Sequence, residues 1–98
     1  MELSGKQKRH LRGLGHHLDP VVHVGTAGVS ENVVSAVDQA LSDHELIKIR
    51  VGENAPEDRK AISSELAKRS GCQEVQVLGR TILLYRAHSE KPRIKLPD

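Results

Sequence analysis

The chain has 98 residues, with 15 Lys and Arg against 13 Asp and Glu and a formal net charge of +2. That length holds one domain with a modest core, and the single cysteine, Cys72, excludes an internal disulfide and fits a reducing cytosol. One Tyr and no Phe or Trp argue against a surface that stacks single-stranded bases on aromatic rings. The opening "MELSGKQKRHLRG" has no apolar h-region, and no apolar run approaches the roughly 18 residues of a membrane span. A soluble cytoplasmic protein is expected. The charge is unevenly spread: Lys6, Lys8, Arg9 and Arg12 meet only Glu2 before Leu18, and Arg80, Arg86, Lys91, Arg93 and Lys95 meet only Glu90. Basic ends around an acidic middle predict a one-sided positive surface that attracts polyanions.

In chain order, Ser4 is placed to cap a first helix that runs to about Leu18. Leu11, Leu14 and Leu18 share one face at i, i+3, i+7. Lys6, Arg9 and His16 lie roughly opposite, with Arg12 at the flank. Gly13 and Gly15 each weaken this helix by up to about 1 kcal/mol relative to Ala, so it depends on tertiary packing. "LDP" ends it, because the residue before proline avoids the helical region. "VVHV" reads as a short buried strand, followed by a loop from Gly25 to Gly28. Ser30 caps a second helix, about Glu31 to Asp43, with Val33, Val37, Ala40 and Leu41 as its apolar face.

"HELIKIRVG" is the next strand, with Ile47, Ile49 and Val51 on one face and Leu46, Lys48 and Arg50 on the other. Asn54 and Glu57 form a capping pair for a third helix that uses Ile62 and Leu66 as core contacts and stops after Ser70 at Gly71. "EVQVLGRTILLYR" gives two strands around a II′ turn at Gly79-Arg80. The order α-β-α-β-α-β-β predicts an α/β fold, an α+β two-layer sandwich with a four-stranded mixed sheet. Two right-handed crossovers set parallel strands side by side with helices on one face, and the final hairpin adds one antiparallel strand. The side on which helix 1 lies is left open. Residues 1–87 form the domain; residues 88–98 are a polar, proline-containing tail, expected to be mobile or only loosely docked.

The Gly25-Thr26-Ala27-Gly28 loop has two physical uses. It is a strand-to-helix turn whose geometry needs glycine, or a place where a ligand backbone approaches closely beside helix N–H groups that suit phosphate. Lys6, Lys8, Arg9 and Arg12 without acidic neighbours add what a phosphate-tracking surface requires. The six histidines lack metal-site spacing: His16 and His17 diverge on a helix, and Cys72 stands alone. His10 and His16 are read as support for the basic face, and His23 and His44 as strand-end residues. Cys72 reads as a small buried hydrophobe, and no nucleophile elbow, P-loop or dinucleotide fingerprint occurs. No catalytic residue, metal site or cofactor is assigned.

"LSGKQKRHLRGLGHHLDPVVHVGTAGVSENV", "ALSDHELIKIRV" and "VQVLGRTILLYR" closely resemble the CRM domain in its free-standing bacterial YhbY-type form, over Leu3 to Arg86. The resemblance implies an RNA-binding module with the fold of the C-terminal domain of translation initiation factor 3 and an added N-terminal helix. It also implies a role in assembly of large ribosomal subunit precursors, with ribosomal RNA as partner. The family's glycine loop falls on Gly25, Thr26, Ala27 and Gly28, its basic helix on Lys6, Lys8, Arg9 and Arg12, and its charged strand on Lys48 and Arg50. Many members carry a basic or amide side chain between the glycines; here Thr26-Ala27 leaves backbone N–H groups and one hydroxyl. Two rival readings stand beside this one: a ribosome-associated protein–protein adaptor with a purely structural glycine loop, and a metal-dependent or thiol enzyme. A monomer is the default.

Overall fold

The structure, a computed structural model, describes residues 2–98. Seven elements follow the predicted order: α1 (Gly5–Gly15), β1 (Pro20–Val24), α2 (Glu31–His44), β2 (Leu46–Val51), α3 (Arg59–Ser70), β3 (Gln73–Leu78) and β4 (Thr81–Tyr85). Ser4 caps α1 in a reciprocal capping box with Gln7, and Ser30 caps α2. Helix α1 is shorter than expected, ending at Gly15 rather than near Leu18, and of the shared face Leu11 is buried while Leu14 and Leu18 are exposed. The start of α3 also differs. Asp58, not Asn54, is its N-cap and accepts from the Ala61 amide at 2.9 Å, because the chain around Pro56 turns before it can become helical. Gly71 ends α3 at φ 61°, as a left-handed stop.

The sheet order is β1-β2-β4-β3. Strands β1 and β2 are parallel, and β4 is antiparallel to both β2 and β3. The second crossover therefore does not set β2 beside β3: the hairpin strand occupies the slot between them. Composition explains this. Ile82, Leu83, Leu84 and Tyr85 are all buried, so β4 is apolar on both faces and belongs where both are covered. Strand β3 is half-exposed and takes the edge. Gly79 alone carries positive φ in the connecting turn, as a II′ geometry requires.

Alternation divides the core in two. Ile47, Ile49, Ile82 and Leu84 point to α2 and α3, meeting Val37, Leu41, Ile62 and Leu66. On the opposite face Leu46, Val75, Leu83 and Tyr85 meet Leu3 and Leu11. Helix α1 thus lies across the face that the crossover helices leave open. The tail is docked rather than loose. Ile94 and Leu96 pack on this second cluster, and the buried Glu45 carboxylate accepts from the amides of His88, Arg93 and Ile94 at 2.6, 2.8 and 2.9 Å. Arg86 ties the end of β4 to the helical layer, donating to the Asp38 carboxylate and carbonyl, the Ser42 hydroxyl and the Ser70 carbonyl at 2.7 to 3.0 Å.

Candidate nucleic-acid interface

Helix α1 approaches the sheet closely because Gly15 has no side chain. A Cβ there would stand 2.6 Å from Cδ1 of Leu83, and Leu11, one turn earlier, is fully buried. This approach sets Arg9, Arg12 and His16 of α1 across from Lys48 of β2, along a groove of about 350 Å³ floored by Leu83 and Thr81. Sequence spacing suggested that Arg9 and Arg12 share a surface; only the packing brings Lys48 to them. Lys6 and Lys8 stand on the same helix but do not line the groove. His10 is exposed on that helix but does not line the groove either.

The positive surface continues along the sheet. Arg50 shares the outward face of β2 with Lys48 and pairs in register with His23 of β1, which is exposed inside its strand near the C-terminal end. One step further, Val24 pairs with Val51, and the Gly52 amide donates to the Val24 carbonyl at 2.8 Å. The glycine loop therefore begins immediately beyond Arg50. Among the described residues, Lys6, Lys8, Arg9, Arg12, Lys48 and Arg50 have no carboxylate partner. The ion pairs instead engage Arg69 with Glu31 and Glu65, and Arg86 with Asp38. Unneutralised positive charge gathered on one face repels itself, and a polyanion relieves that repulsion.

In the loop the Gly28 amide donates to the Gly25 carbonyl at 2.9 Å, closing a turn whose corner residues, Thr26 and Ala27, are exposed. The two glycines differ. Gly28 is held at φ +65°, and a Cβ would stand 3.0 Å from Cγ of Pro56, so geometry requires glycine there. A Cβ on Gly25 would meet open space, which leaves room for an approaching group. The helix beyond differs from the free anion site expected of it. Ser30 Oγ accepts from the Val33 amide at 3.2 Å, and Glu31, paired with Arg69, already occupies the first turn. Glu57 Oε1 lies 3.9 Å from the position of a Gly28 Cβ, a negative neighbour that sequence spacing did not disclose.

His44 is the last residue of α2 rather than part of a strand. Cys72 is partly buried, and desolvation, aided by Glu74 and opposed by Arg86, pushes its thiol up to about 11. That makes it a poor nucleophile near neutral pH. Sequence reading missed Glu45 altogether. Its signal was a buried-strand motif, "HELIK", in which an acid rather than a glycine follows the helix. Glu45 has φ 64° and ψ −47°, a strained positive-φ conformation outside the left-handed well that Gly71 occupies at the end of α3.

The sequence profile of the CRS1 / YhbY (CRM) domain matches residues 3–86. The chain is 44% identical over 95 residues to the Bacillus subtilis protein named "Probable RNA-binding protein YqeI", covering 97% of this chain and 99% of that one. It is 41% identical over 95 residues to a Haemophilus influenzae protein named "RNA-binding protein", covering 97% and 95%. The solution structure of the Staphylococcus aureus protein SAV1595 superposes with a TM-score of 0.83 at 40% identity, covering 97% of this chain and 99% of that one.

Proposed function

The chain belongs to the CRS1 / YhbY (CRM) domain family, and on that premise we propose that it is a non-catalytic, cytoplasmic RNA-binding protein that acts in assembly of the large ribosomal subunit. The observation that carries the reading is the set of bases without carboxylate partners on one face, Arg9 and Arg12 across the groove from Lys48 and continued by Arg50. Relatives named as RNA-binding proteins support it. Guanidinium and ammonium groups there neutralise phosphates of structured ribosomal RNA, with Lys6 and Lys8 adding to the field around it. Gly25 to Gly28 positions the RNA backbone through the open space at Gly25 and the amides of Thr26 and Ala27, which have no acceptor among the described residues. The RNA is held by charge and shape, with few base contacts.

Sedimentation of lysate at low and high salt tests the assignment. The protein should travel with large-subunit precursors at low salt and leave them at high salt; migration at the top of the gradient under both conditions refutes the ribosomal role. Glu57 beside Gly28 favours a second reading of the loop as structure only. The double substitution Thr26→Asp, Ala27→Asp decides between them, since both side chains are exposed and folding should persist. Lost RNA association supports a loop that meets phosphate, because like charges repel; unchanged association supports the structural loop.

A further inference from the structure

Leu14, Leu18 and Val21 are 44%, 36% and 51% exposed, three of the four large apolar side chains left open to solvent among the described residues. All three line one groove of about 490 Å³, walled also by Leu46 and by Ile94 of the docked tail. No described residue covers it, although Leu14 and Leu18 share the apolar face of α1's spacing pattern with the buried Leu11. We infer that this groove receives one unstacked base of the RNA held by the neighbouring basic groove. The inference rests on the RNA-binding reading above and adds a site to it.

Position and charge select this occupant. Lys48 lines both the apolar groove and the basic one, so a phosphate held between Lys48 and Arg12 places its own nucleotide at the apolar mouth. The volume falls in the roughly 300–1,000 Å³ range of small-ligand clefts. Aliphatic walls can sandwich a planar base as rings do elsewhere, which matters in a chain with no Phe or Trp. Asp19 and His44 also line the groove and supply hydrogen-bonding groups for a base edge. The consequence is a preference for RNA with an unpaired nucleotide over an uninterrupted duplex, whose bases are not free to enter.

The test uses the full chain and two RNA hairpins that differ only by one bulged nucleotide, with affinity read by fluorescence anisotropy. The wild-type protein should bind the bulged hairpin about tenfold more tightly, the low end of what one base contributes when stacked on an aromatic side chain. The variant Leu14→Ser, Leu18→Ser should lose that preference while keeping its affinity for the paired hairpin and its salt dependence. Val21→Ser, on a different element, should reduce the preference independently if the double variant folds poorly. Equal wild-type affinity for both hairpins, or a preference that survives these variants, overturns the base site and leaves the RNA-binding reading intact. Binding to neither hairpin overturns both. A wild-type dimer in sedimentation equilibrium that the double variant abolishes assigns the groove to a second copy and overturns the inference.

Discussion

Replacing Glu45 by glycine sets two effects of opposite sign against each other. Glu45 holds φ 64° with ψ −47°, and relief of that strained backbone by glycine is worth about 1–3 kcal/mol. The same substitution removes three amide-to-carboxylate hydrogen bonds, from His88, Arg93 and Ile94. At the lower end of about 1.5 kcal/mol for each charge-assisted bond, the loss exceeds the relief, leaving a net destabilisation of about 2.5 kcal/mol. For a chain of this size that lowers Tm by roughly 15 °C. Glu45→Gln keeps the backbone strain and side-chain size but presents an NH₂ to one of the donors, so it should also destabilise. Burial by itself would raise the Glu45 pKa, but the amides of His88, Ile94 and Arg93 and the Arg93 charge outweigh it and lower the value below the ordinary carboxylate range. A lowered folded-state pKa means the stabilisation is present above the unfolded value, about 4.3, and is lost as pH falls through the folded one. Both variants should lack this acid-side loss; Glu45→Gly should exchange the His88, Arg93 and Ile94 amides rapidly, and Glu45→Gln only the amide or amides left facing its NH₂. A Glu45→Gly protein as stable as wild type, with those amides still protected, refutes the reasoning.

Three further outcomes are expected. Combining Arg9→Ala, Arg12→Ala and Lys48→Ala should flatten the plot of log affinity for RNA against log salt by roughly 2–3 units, at 0.7–0.9 per phosphate contact; Arg69→Ala, whose guanidinium is ion-paired away from the groove, should leave the slope unchanged. Gly15→Ala drives a Cβ into Leu83 and should destabilise by about 1–3 kcal/mol, more than the improved helix propensity of up to about 1 kcal/mol returns; a higher melting temperature would contradict the close helix–sheet contact. With its thiol raised to about 11, Cys72 should alkylate slowly in native protein at pH 8 and quickly in urea.

The element order, the serine caps of α1 and α2, the Gly71 stop and the inward faces of α2, β2 and α3 were legible because each depends on neighbouring residues: a cap on the residues after it, a face on a local period of 3.6 or 2. The basic residues of α1 and β2 were legible for the same reason, since Arg9 and Arg12 are a helical neighbour pair and Lys48 and Arg50 alternate with Ile47, Ile49 and Val51. The exposure of Leu14 and Leu18 beside a buried Leu11 was not legible, because an apolar period identifies a face but not whether anything covers it. In the same way Asn54 offered capping chemistry, but the helix begins only after Pro56.

The sequence by itself determined which residues could form each element and which side chains would share a face, because those are short-range consequences of backbone geometry. Only the tertiary structure decided what each face meets. The central place of β4 follows from the need to cover both its faces, and the docking of α1 on the open sheet follows from the missing side chain at Gly15. The capture of the tail by Glu45, and the meeting of Lys48 with Arg9 and Arg12 beside an uncovered apolar groove, likewise join residues distant in the chain. Such contacts are fixed by the simultaneous packing of the whole sheet, and no local pattern encodes them.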